Sequence, residues 1–111
     1  MPEVPLEIDC QMLKRQLDAG ADLLLLDCRE PDEYEFAKID QAKLLPMGEI
    51  PERLSELDPY RQRPIVVHCH HGGRSLRVVH WLRKQGFAQA QNLSGGIDLW
   101  SQEIDPRVPR Y

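Results

Sequence analysis

The stretch IVVHCHHGGRS, residues 65–75, joins a short apolar run to a polar loop and then to a segment of helical period. Near-continuous apolar runs of this length suit strands that are buried on both faces of a parallel sheet. In open parallel sheets, ligands bind beyond the carboxyl ends of the strands, and Cys69 lies at such a position. The stretch therefore predicts an α/β fold with a candidate site at its centre.

The rest of the chain alternates in the same way between apolar runs and helical segments. A second buried strand is predicted at Leu23–Leu26, with weaker candidates at Leu44–Leu45 and Ala90–Leu93. Five helices are predicted. The first is capped by Asp9 and ends at Gly20, the second spans Pro31–Phe36, and the third carries Ile50, Leu54 and Leu57 and ends by Pro59. The fourth spans Ser75–Gln85, and the last is a short helix around Trp100. We expect a single domain over residues 1–111, with an extended C-terminal tail over residues 102–111.

Composition limits the classes of function. The formal net charge of −4 disfavours nucleic acid and anionic membrane surfaces as partners, because such binding rests on a basic surface. The first residues, MPEVPLEID, lack the basic start and apolar run of a secretory signal, and no apolar stretch approaches the length of a membrane span. The sequence therefore predicts a cytoplasmic protein with no membrane partner.

The three cysteines are too widely spaced for a disulfide framework or a paired zinc pattern. Cys28 follows a predicted buried strand and Cys10 opens a predicted helix, so both are interpreted as structural or incidental residues. Cys69 differs from them because it lies in a loop between a strand and a helix, beside two glycines. We therefore interpret Cys69 as a nucleophile.

The loop after Cys69 has the composition of an anion cradle. Gly72 and Gly73 let successive backbone N–H groups turn inward, and the following helix adds unpaired N–H groups and the positive end of its dipole. Such an environment stabilises a thiolate over a thiol. We therefore expect a lowered pKa for Cys69, lowered further by Arg74 and by any protonated fraction of His70 or His71.

These residues resemble the active loop of the rhodanese family, which reads Cys, four variable residues and Arg, commonly followed by Ser or Thr. Cys69–Ser75 matches that pattern. The similarity continues in order from Leu23 to Ser101 through Asp27-Cys28-Arg29, which matches the family's Asp-x-Arg, and through Glu33-Tyr34, Gly86-Phe87, and Asn92–Ile97 with Trp100. The chain departs from the family where Gly-His-Ile and Gly-Ala are expected, since it has Ala37-Lys38-Ile39 and Gln41-Ala42. The loop entering the third strand is therefore expected to differ in detail.

The resemblance implies a three-layer rhodanese-like domain, in which a mostly parallel sheet has helices on both faces. It also implies a sulfurtransferase in which Cys69 takes a sulfane sulfur from thiosulfate or a persulfide donor and passes it to a thiophilic acceptor. No metal or organic cofactor is implied, and the expected partners are a small sulfur donor and a sulfur-relay protein. The implied substrate-binding residues are His70, His71, Gly72, Gly73, Arg74 and Ser75, with Asp27 and Arg29 in support.

Two other chemistries are weighed against this interpretation. Cysteine phosphatases and arsenate reductases have five residues between Cys and Arg, and that longer spacing falls here at Ser75, so phosphatase activity is disfavoured. The run from His68 to His71 suggests a metal site, but neighbouring residues in a tight loop point in different directions. Neither alternative matches the loop as well as sulfur transfer does.

Three roles stay open at this point. Arg74 either contacts substrate or pins the loop through a carboxylate such as Asp27 or Glu33. Arg29 either lines the mouth of the site or is simply solvated. The tail from Ser101 either docks a partner or packs back on the body. The alternative function is a non-catalytic or regulatory protein-binding module on the same fold.

Overall fold

The computed structural model describes residues 4–111, and within them the sheet has five strands in the order β1-β5-β4-β2-β3. The strands are β1 Glu7–Ile8, β2 Leu24–Asp27, β3 Lys43–Leu44, β4 Ile65–His68 and β5 Ala90–Leu93. All of the pairs between them are parallel. The predicted α/β class and parallel sheet are confirmed.

The two apolar runs of the sequence form the adjacent central strands β2 and β4. They are in register from Leu24 opposite Ile65 to Asp27 opposite His68. The weaker candidates are confirmed as β3 and β5. The edge strand β1 was not predicted, because two residues are too short to show the alternation of a strand.

Four α-helices lie in the described residues, and none of them is long and apolar enough to cross a bilayer. They are α1 Cys10–Asp18, α2 Pro31–Phe36, α3 Gly73–Lys84 and α4 Gly96–Glu103. Asp9 caps α1 as predicted, since its carboxylate accepts a hydrogen bond from the Met12 amide at 2.7 Å. Pro31 opens α2 as predicted.

The α-helix predicted through Ile50, Leu54 and Leu57 is wrong in type. This region contains two 3-10 segments, Met47–Glu49 and Leu54–Tyr60. Pro59 lies inside the second segment and has no amide hydrogen for an α-helical bond. Ile50 and Leu57 are nevertheless buried, so the predicted apolar stripe is correct although the helix type is not.

Side chains alternate between the two faces of the sheet and divide the core into two layers. Leu26 and Val67 pack with α3 on one face, whereas Leu25 and Val66 pack with α1 and α4 on the other. The helices on both faces confirm the three-layer architecture. Each large apolar side chain in these layers stabilises the fold by roughly 1.5–3 kcal/mol, so the loop after β4 rests on a firmly packed platform.

The residues after α4 fold back onto the domain. Because α4 continues to Glu103, the tail begins later than the predicted residue 102. Val108 is buried in the same layer as Trp100, and its carbonyl accepts a hydrogen bond from the Ser101 hydroxyl. This docking brings Tyr111 to the loop that follows β4.

Candidate active site

The sulfur of Cys69 lies inside a group of hydrogen-bond donors supplied by the loop and by the start of α3. The Gly72 amide donates to Sγ at 3.1 Å, the Ser75 amide at 3.4 Å and the Ser75 hydroxyl at 3.3 Å. Cys69 itself is only 1% exposed. The structure therefore places the predicted nucleophile in a shielded, donor-rich cradle.

Gly72 makes the turn into this cradle possible. It is the N-cap of α3 with a φ of +115°, a conformation that side chains other than glycine rarely adopt. The preceding β4 and the following helix fix the two ends of the loop. The predicted role of a glycine in the loop is thus seen at Gly72, whereas Gly73 is simply the first residue of the helix and has no positive φ.

Two opposing effects set the pKa of the Cys69 thiol. Burial raises the pKa, while hydrogen bonds from the Ser75 side chain and from the amides of Ser75, Gly72 and Arg74 lower it, and the net direction is downward. A thiolate accepts hydrogen bonds more strongly than a thiol, so the donors act mainly on the charged form. The direction of this pKa shift is the one that the sequence predicted.

Asn92 is a member of this site that the sequence analysis did not identify. Its amide group donates to the Gly72 carbonyl at 3.2 Å, and its side-chain oxygen accepts a hydrogen bond from the Ser75 hydroxyl. The Ser75 hydroxyl has one proton and therefore bonds either to Asn92 or to Sγ at a given moment. Asn92 holds Ser75 where it can turn its proton toward a thiolate.

The carbonyls of the loop point away from the sulfur, toward the start of α4. The Cys69 carbonyl accepts from the Ile97 amide at 3.0 Å, and the His70 carbonyl accepts from the Asp98 amide at 3.1 Å. These bonds satisfy the first amides of α4 and leave the amides of the loop free to face Sγ. The negative ends of the peptide dipoles are thereby kept out of the cradle.

Gly96 allows this close approach of α4 to the loop. A Cβ there would lie 2.4 Å from the His70 carbonyl oxygen and 2.6 Å from the Cys69 carbonyl oxygen, and its φ is +58°. We expect Gly96→Ala to lower the free energy of unfolding by about 2–3 kcal/mol, from the left-handed backbone and from overpacking together. Chemical denaturation measures the loss.

Gly20→Ala is the matched control for that prediction. Gly20 has a φ of +71° but no atom within 4 Å of the position of a Cβ, so it reports the backbone cost alone. Equal destabilisation of the two variants would show that the contact of α4 with the loop is not tight.

Arg74 pins the loop. Its guanidinium makes two hydrogen bonds to the Glu33 carboxylate, at 2.7 and 2.9 Å. The hydrogen bonds from Arg74, with a smaller contribution from Tyr111, outweigh the opposing effect of burial and lower the pKa of Glu33 to about 2. Of the two roles left open for Arg74, the structure shows the bracing one, with Glu33 and not Asp27 as the partner.

Arg29 is neither mouth-lining nor solvated, and both predicted roles are wrong. Its side chain is 0% exposed and pairs with Asp27, with its Nε 2.9 Å from Oδ1 and its Nη2 2.6 Å from Oδ2. It also donates to the Ala37 carbonyl. The charge can be buried here because each nitrogen of the guanidinium donates a hydrogen bond to an acceptor. The pair lies at the carboxyl end of β2, the strand next to β4.

Tyr111 joins these two ion pairs and contacts the loop. Its hydroxyl accepts from Arg29 at 2.8 Å and donates to Glu33 at 2.7 Å. Its ring stacks on His70 with the centroids 3.9 Å apart. No local pattern in the sequence links residue 111 to residue 70, so this contact could not be predicted. The tail therefore packs back on the body, which was one of its two predicted fates.

The two loop histidines lie on the outer side of the site. The ring of His70 is stacked between those of Tyr111 and His71, while His71 is 68% exposed with its Nε2 3.7 Å from Asp98 Oδ2. His70, His71 and Asp98 form a group with ligand-type atoms within 4.8 Å of one another. Within this group the two rings stack on each other, and Asp98 pairs with Arg110 at 3.0 Å.

Cys10 and Cys28 are buried thiols, in agreement with their interpretation as structural residues. Burial is the main cause that raises the pKa of Cys10 to about 11 and that of Cys28 to about 12. All three cysteines are free. Of the three, only Cys69 has a lowered pKa.

A groove of about 710 Å³ lies away from the cysteine loop. It runs between the segment around Lys38, where the chain departs from the expected glycines, and the tail around Arg107. Cys69 does not line it. The residues that depart from the family pattern, Ala37 to Gln41, therefore line this groove and do not contribute a donor to Cys69.

The family model of the Rhodanese-like domain matches residues 9–103. A protein named Sulfurtransferase from Allochromatium vinosum is 38% identical over 102 residues, covering 92% of this chain and 94% of that protein. A Zea mays protein named Adenylyltransferase and sulfurtransferase MOCS3-2 is 34% identical over 109 residues. That match covers 94% of this chain but only 23% of the maize protein, so the chain corresponds to a part of it.

The fold is similar to solved structures over nearly its whole length. The crystal structure of a Rhodanese-like Domain Protein from Staphylococcus aureus superposes with a TM-score of 0.81 and 28% sequence identity. The match covers 96% of this chain and 99% of that one. The overall architecture described above is therefore that of a known fold.

Proposed function

The chain belongs to the rhodanese-like domain family, with named sulfurtransferases among its relatives, and from that premise we propose that it transfers a sulfane sulfur through a persulfide on Cys69. The observation that carries the proposal is the set of donors from Gly72 and Ser75 on Sγ. Sulfurtransferase activity follows at the level of the family. The donor, the acceptor and the role of each residue are our inference.

The reaction proceeds in two displacements at sulfur. The Cys69 thiolate attacks the outer sulfur of the donor, a new S–S bond forms, and the old bond breaks with its electron pair leaving on sulfite or on the donor's thiolate. The acceptor thiolate then attacks the outer sulfur of the persulfide, and the Cys69 thiolate leaves. Charge returns to Sγ in this step, so the same donors that activate the nucleophile also stabilise the leaving group.

The loop side chains divide the remaining tasks. We propose that Gly72, Gly73, Arg74 and Ser75 maintain the conformation of the loop around Sγ. The Asp27–Arg29 pair on the neighbouring strand supports that loop. His70 and His71 are assigned to donor and acceptor selection, because they lie on the outer side of the loop. Since Cys69 is only 1% exposed, a donor has to displace neighbouring side chains to reach Sγ.

We propose thiosulfate or a small persulfide as the donor and a sulfur-relay protein as the physiological partner. Because Cys69 has to stay reduced between turnovers, we propose the cytoplasm as the location, where thiols persist. We propose no cofactor for this chemistry, because each displacement forms one bond at the transferred sulfur as it breaks another, and the leaving group keeps the electron pair of the broken bond. A purely binding module would not need a lowered pKa at Cys69, which favours the enzyme.

Intact mass spectrometry tests the function directly. The purified protein is incubated with thiosulfate, and in a parallel arm with a low-molecular-weight persulfide, under reducing-agent-free conditions. We expect a gain of one sulfur atom that maps to the peptide containing Cys69 and is discharged by cyanide. A sulfur that maps to Cys10 or Cys28, or a protein inert to both donors, would contradict the proposal.

The Ser75 hydroxyl is expected to set the pH dependence of loading. Ser75→Ala removes one donor to the thiolate but keeps the backbone amides, so the pKa of Cys69 rises. A hydrogen bond to a charged group stabilises by about 1.5–3 kcal/mol, so loading at neutral pH is expected to slow on the order of tenfold. The thiolate exists above its pKa and is lost as pH falls through it, so the variant's profile shifts to higher pH.

The ultraviolet absorbance of the thiolate against pH checks this shift. Ser101→Ala, which removes a buried hydroxyl that bonds to the tail and not to the sulfur, is the matched control and is expected to keep the parent's profile. Superimposable titrations of the Ser75→Ala variant and the parent would show that the hydroxyl does not lower the pKa of Cys69.

A further inference from the structure

Cys28 and Cys69 follow directly after paired residues of neighbouring strands. Asp27 on β2 lies opposite His68 on β4, and the Cys28 amide donates to the His68 carbonyl at 3.1 Å, so the pairing extends past the last residue of each strand. Neighbouring strands are about 4.7–4.9 Å apart. The two cysteines are therefore adjacent across the sheet.

Their side chains lie on the same face. Positions alternate along each strand, and Leu26 and Cys28 share one core layer with Val67 and Cys69. A disulfide requires Cα atoms roughly 4.4–6.8 Å apart, and the spacing of strands falls within that range. The backbone thus permits a bond between these two sulfurs.

The sulfurtransferase reaction described above makes no use of Cys28. Cys28 is buried, with only 1% of its surface exposed. Cys10, the third cysteine, lies in the layer on the opposite face of the sheet. Cys28 therefore differs from Cys10 in lying on the same face of the sheet as Cys69.

We propose that Cys28 is a resolving cysteine, which converts peroxide-oxidised Cys69 into a reversible disulfide. This inference rests on the proposed function, because it requires Cys69 to be a reactive thiolate. The oxidant is hydrogen peroxide or another small peroxide, and the reductant that restores the site is a dithiol.

The steps balance as follows. The Cys69 thiolate attacks one peroxide oxygen, the O–O bond breaks, and a sulfenic acid forms with release of hydroxide. The Cys28 sulfur then attacks Sγ of Cys69, the S–O bond breaks, and the sulfenic oxygen leaves as water with the proton of Cys28. A dithiol reduces the Sγ–Sγ bond and returns both thiols.

The electrostatic environment of the Cys28 thiol changes when Cys69 is oxidised. Burial first, and then the negative charge on Cys69, raise the pKa of Cys28. A sulfenic acid is neutral, so the oxidation of Cys69 removes the second of these effects. Arg74, which lowers the pKa of Cys28, remains in place. The thiol is therefore held protonated while Cys69 is a thiolate and becomes easier to deprotonate once Cys69 is oxidised.

The test compares the parent with Cys28→Ala and with Cys10→Ala as the matched buried-cysteine control. Each protein is treated with hydrogen peroxide, weighed intact, mapped by peptide analysis, and then assayed for sulfur loading after dithiothreitol. We expect the parent and Cys10→Ala to lose two hydrogens, to show a Cys28–Cys69 cross-link and to regain loading. Cys28→Ala should proceed to sulfinic acid at Cys69 and regain less than about a tenth of its loading.

Two results overturn the inference and can be told apart. If Cys69 is oxidised but the parent shows no cross-link, or if Cys28→Ala recovers as the parent does, Cys28 is not a resolving cysteine and the sulfurtransferase function is untouched. If Cys69 in Cys28→Ala resists both peroxide and sulfur donors while the protein remains folded, Cys69 is not a reactive thiolate, and the proposed function fails as well. Without peroxide, Cys28→Ala is expected to load sulfur at the parent's rate.

Discussion

A Cys69→Ser variant is expected to retain its fold and to lose sulfur transfer by a factor on the order of 10⁴ or more. The hydroxyl of serine stays protonated in conditions where the cradle stabilises a thiolate, and it offers no sulfur for a persulfide. The donors from Gly72 and Ser75 can still bond to the smaller oxygen, so the loop should stay in place. Initial rates with thiosulfate and with a persulfide donor measure the loss.

Cys10→Ser is the control, since it also changes a buried cysteine but lies on the other face of the sheet. It is expected to transfer sulfur as the parent does, even if its stability is lower. Sulfur uptake by Cys69→Ser at the parent's rate would mean that another thiol is the nucleophile. Loss of activity in both variants together with loss of the folded state would point to packing and not to chemistry.

Arg29→Ala is expected to lower the free energy of unfolding by about 3–5 kcal/mol, because it leaves the wholly buried Asp27 carboxylate without its partner. The same change leaves the Ala37 carbonyl and the Tyr111 hydroxyl each without a donor. Native domains are stable by only about 5–15 kcal/mol, so this loss is a large part of the total. Urea denaturation followed by circular dichroism measures it.

Two further variants sharpen that measurement. Arg53→Ala removes ion pairs with Glu49 and Glu56 that are exposed to solvent, and little change in stability is expected. The double variant Asp27→Ala/Arg29→Ala should lose less free energy of unfolding than the two single variants lose in sum. It removes both charges of the pair and leaves neither of them unpaired. Equal losses of stability in Arg29→Ala and Arg53→Ala would show that the buried pair contributes no more to the free energy of unfolding than the exposed pairs do.

Local signals in the sequence predicted most of the fold. The apolar runs of β2 and β4 and the Asp9 cap of α1 depend on residues close together in the chain, and all are confirmed. The edge strand β1 was missed because its two residues gain their conformation from pairing with β5, which is remote in sequence. The 3-10 segments were missed because an apolar stripe indicates burial but not which hydrogen-bond pattern a proline permits.

The sequence pointed to the candidate nucleophile and not to most of the residues around it. The position of Cys69 after a strand and the glycines that follow it predicted a donor-rich loop and a lowered pKa, whereas the part played by Ser75 was implied only by the family resemblance. Arg29 was placed outside the core because a lone charge is seldom buried, and only its partners at Asp27 and Tyr111 explain the exception. Asn92 stands in a matched family motif, but neither its contact with the loop nor that of Tyr111 follows from residues close together in the chain.

The stacking of Tyr111 on His70 has a practical bearing on how the protein is produced and fused. Any polypeptide joined after residue 111 would emerge beside the cysteine loop, because that residue is anchored there through Arg29 and Glu33. An affinity tag or reporter attached at this end would crowd incoming sulfur donors.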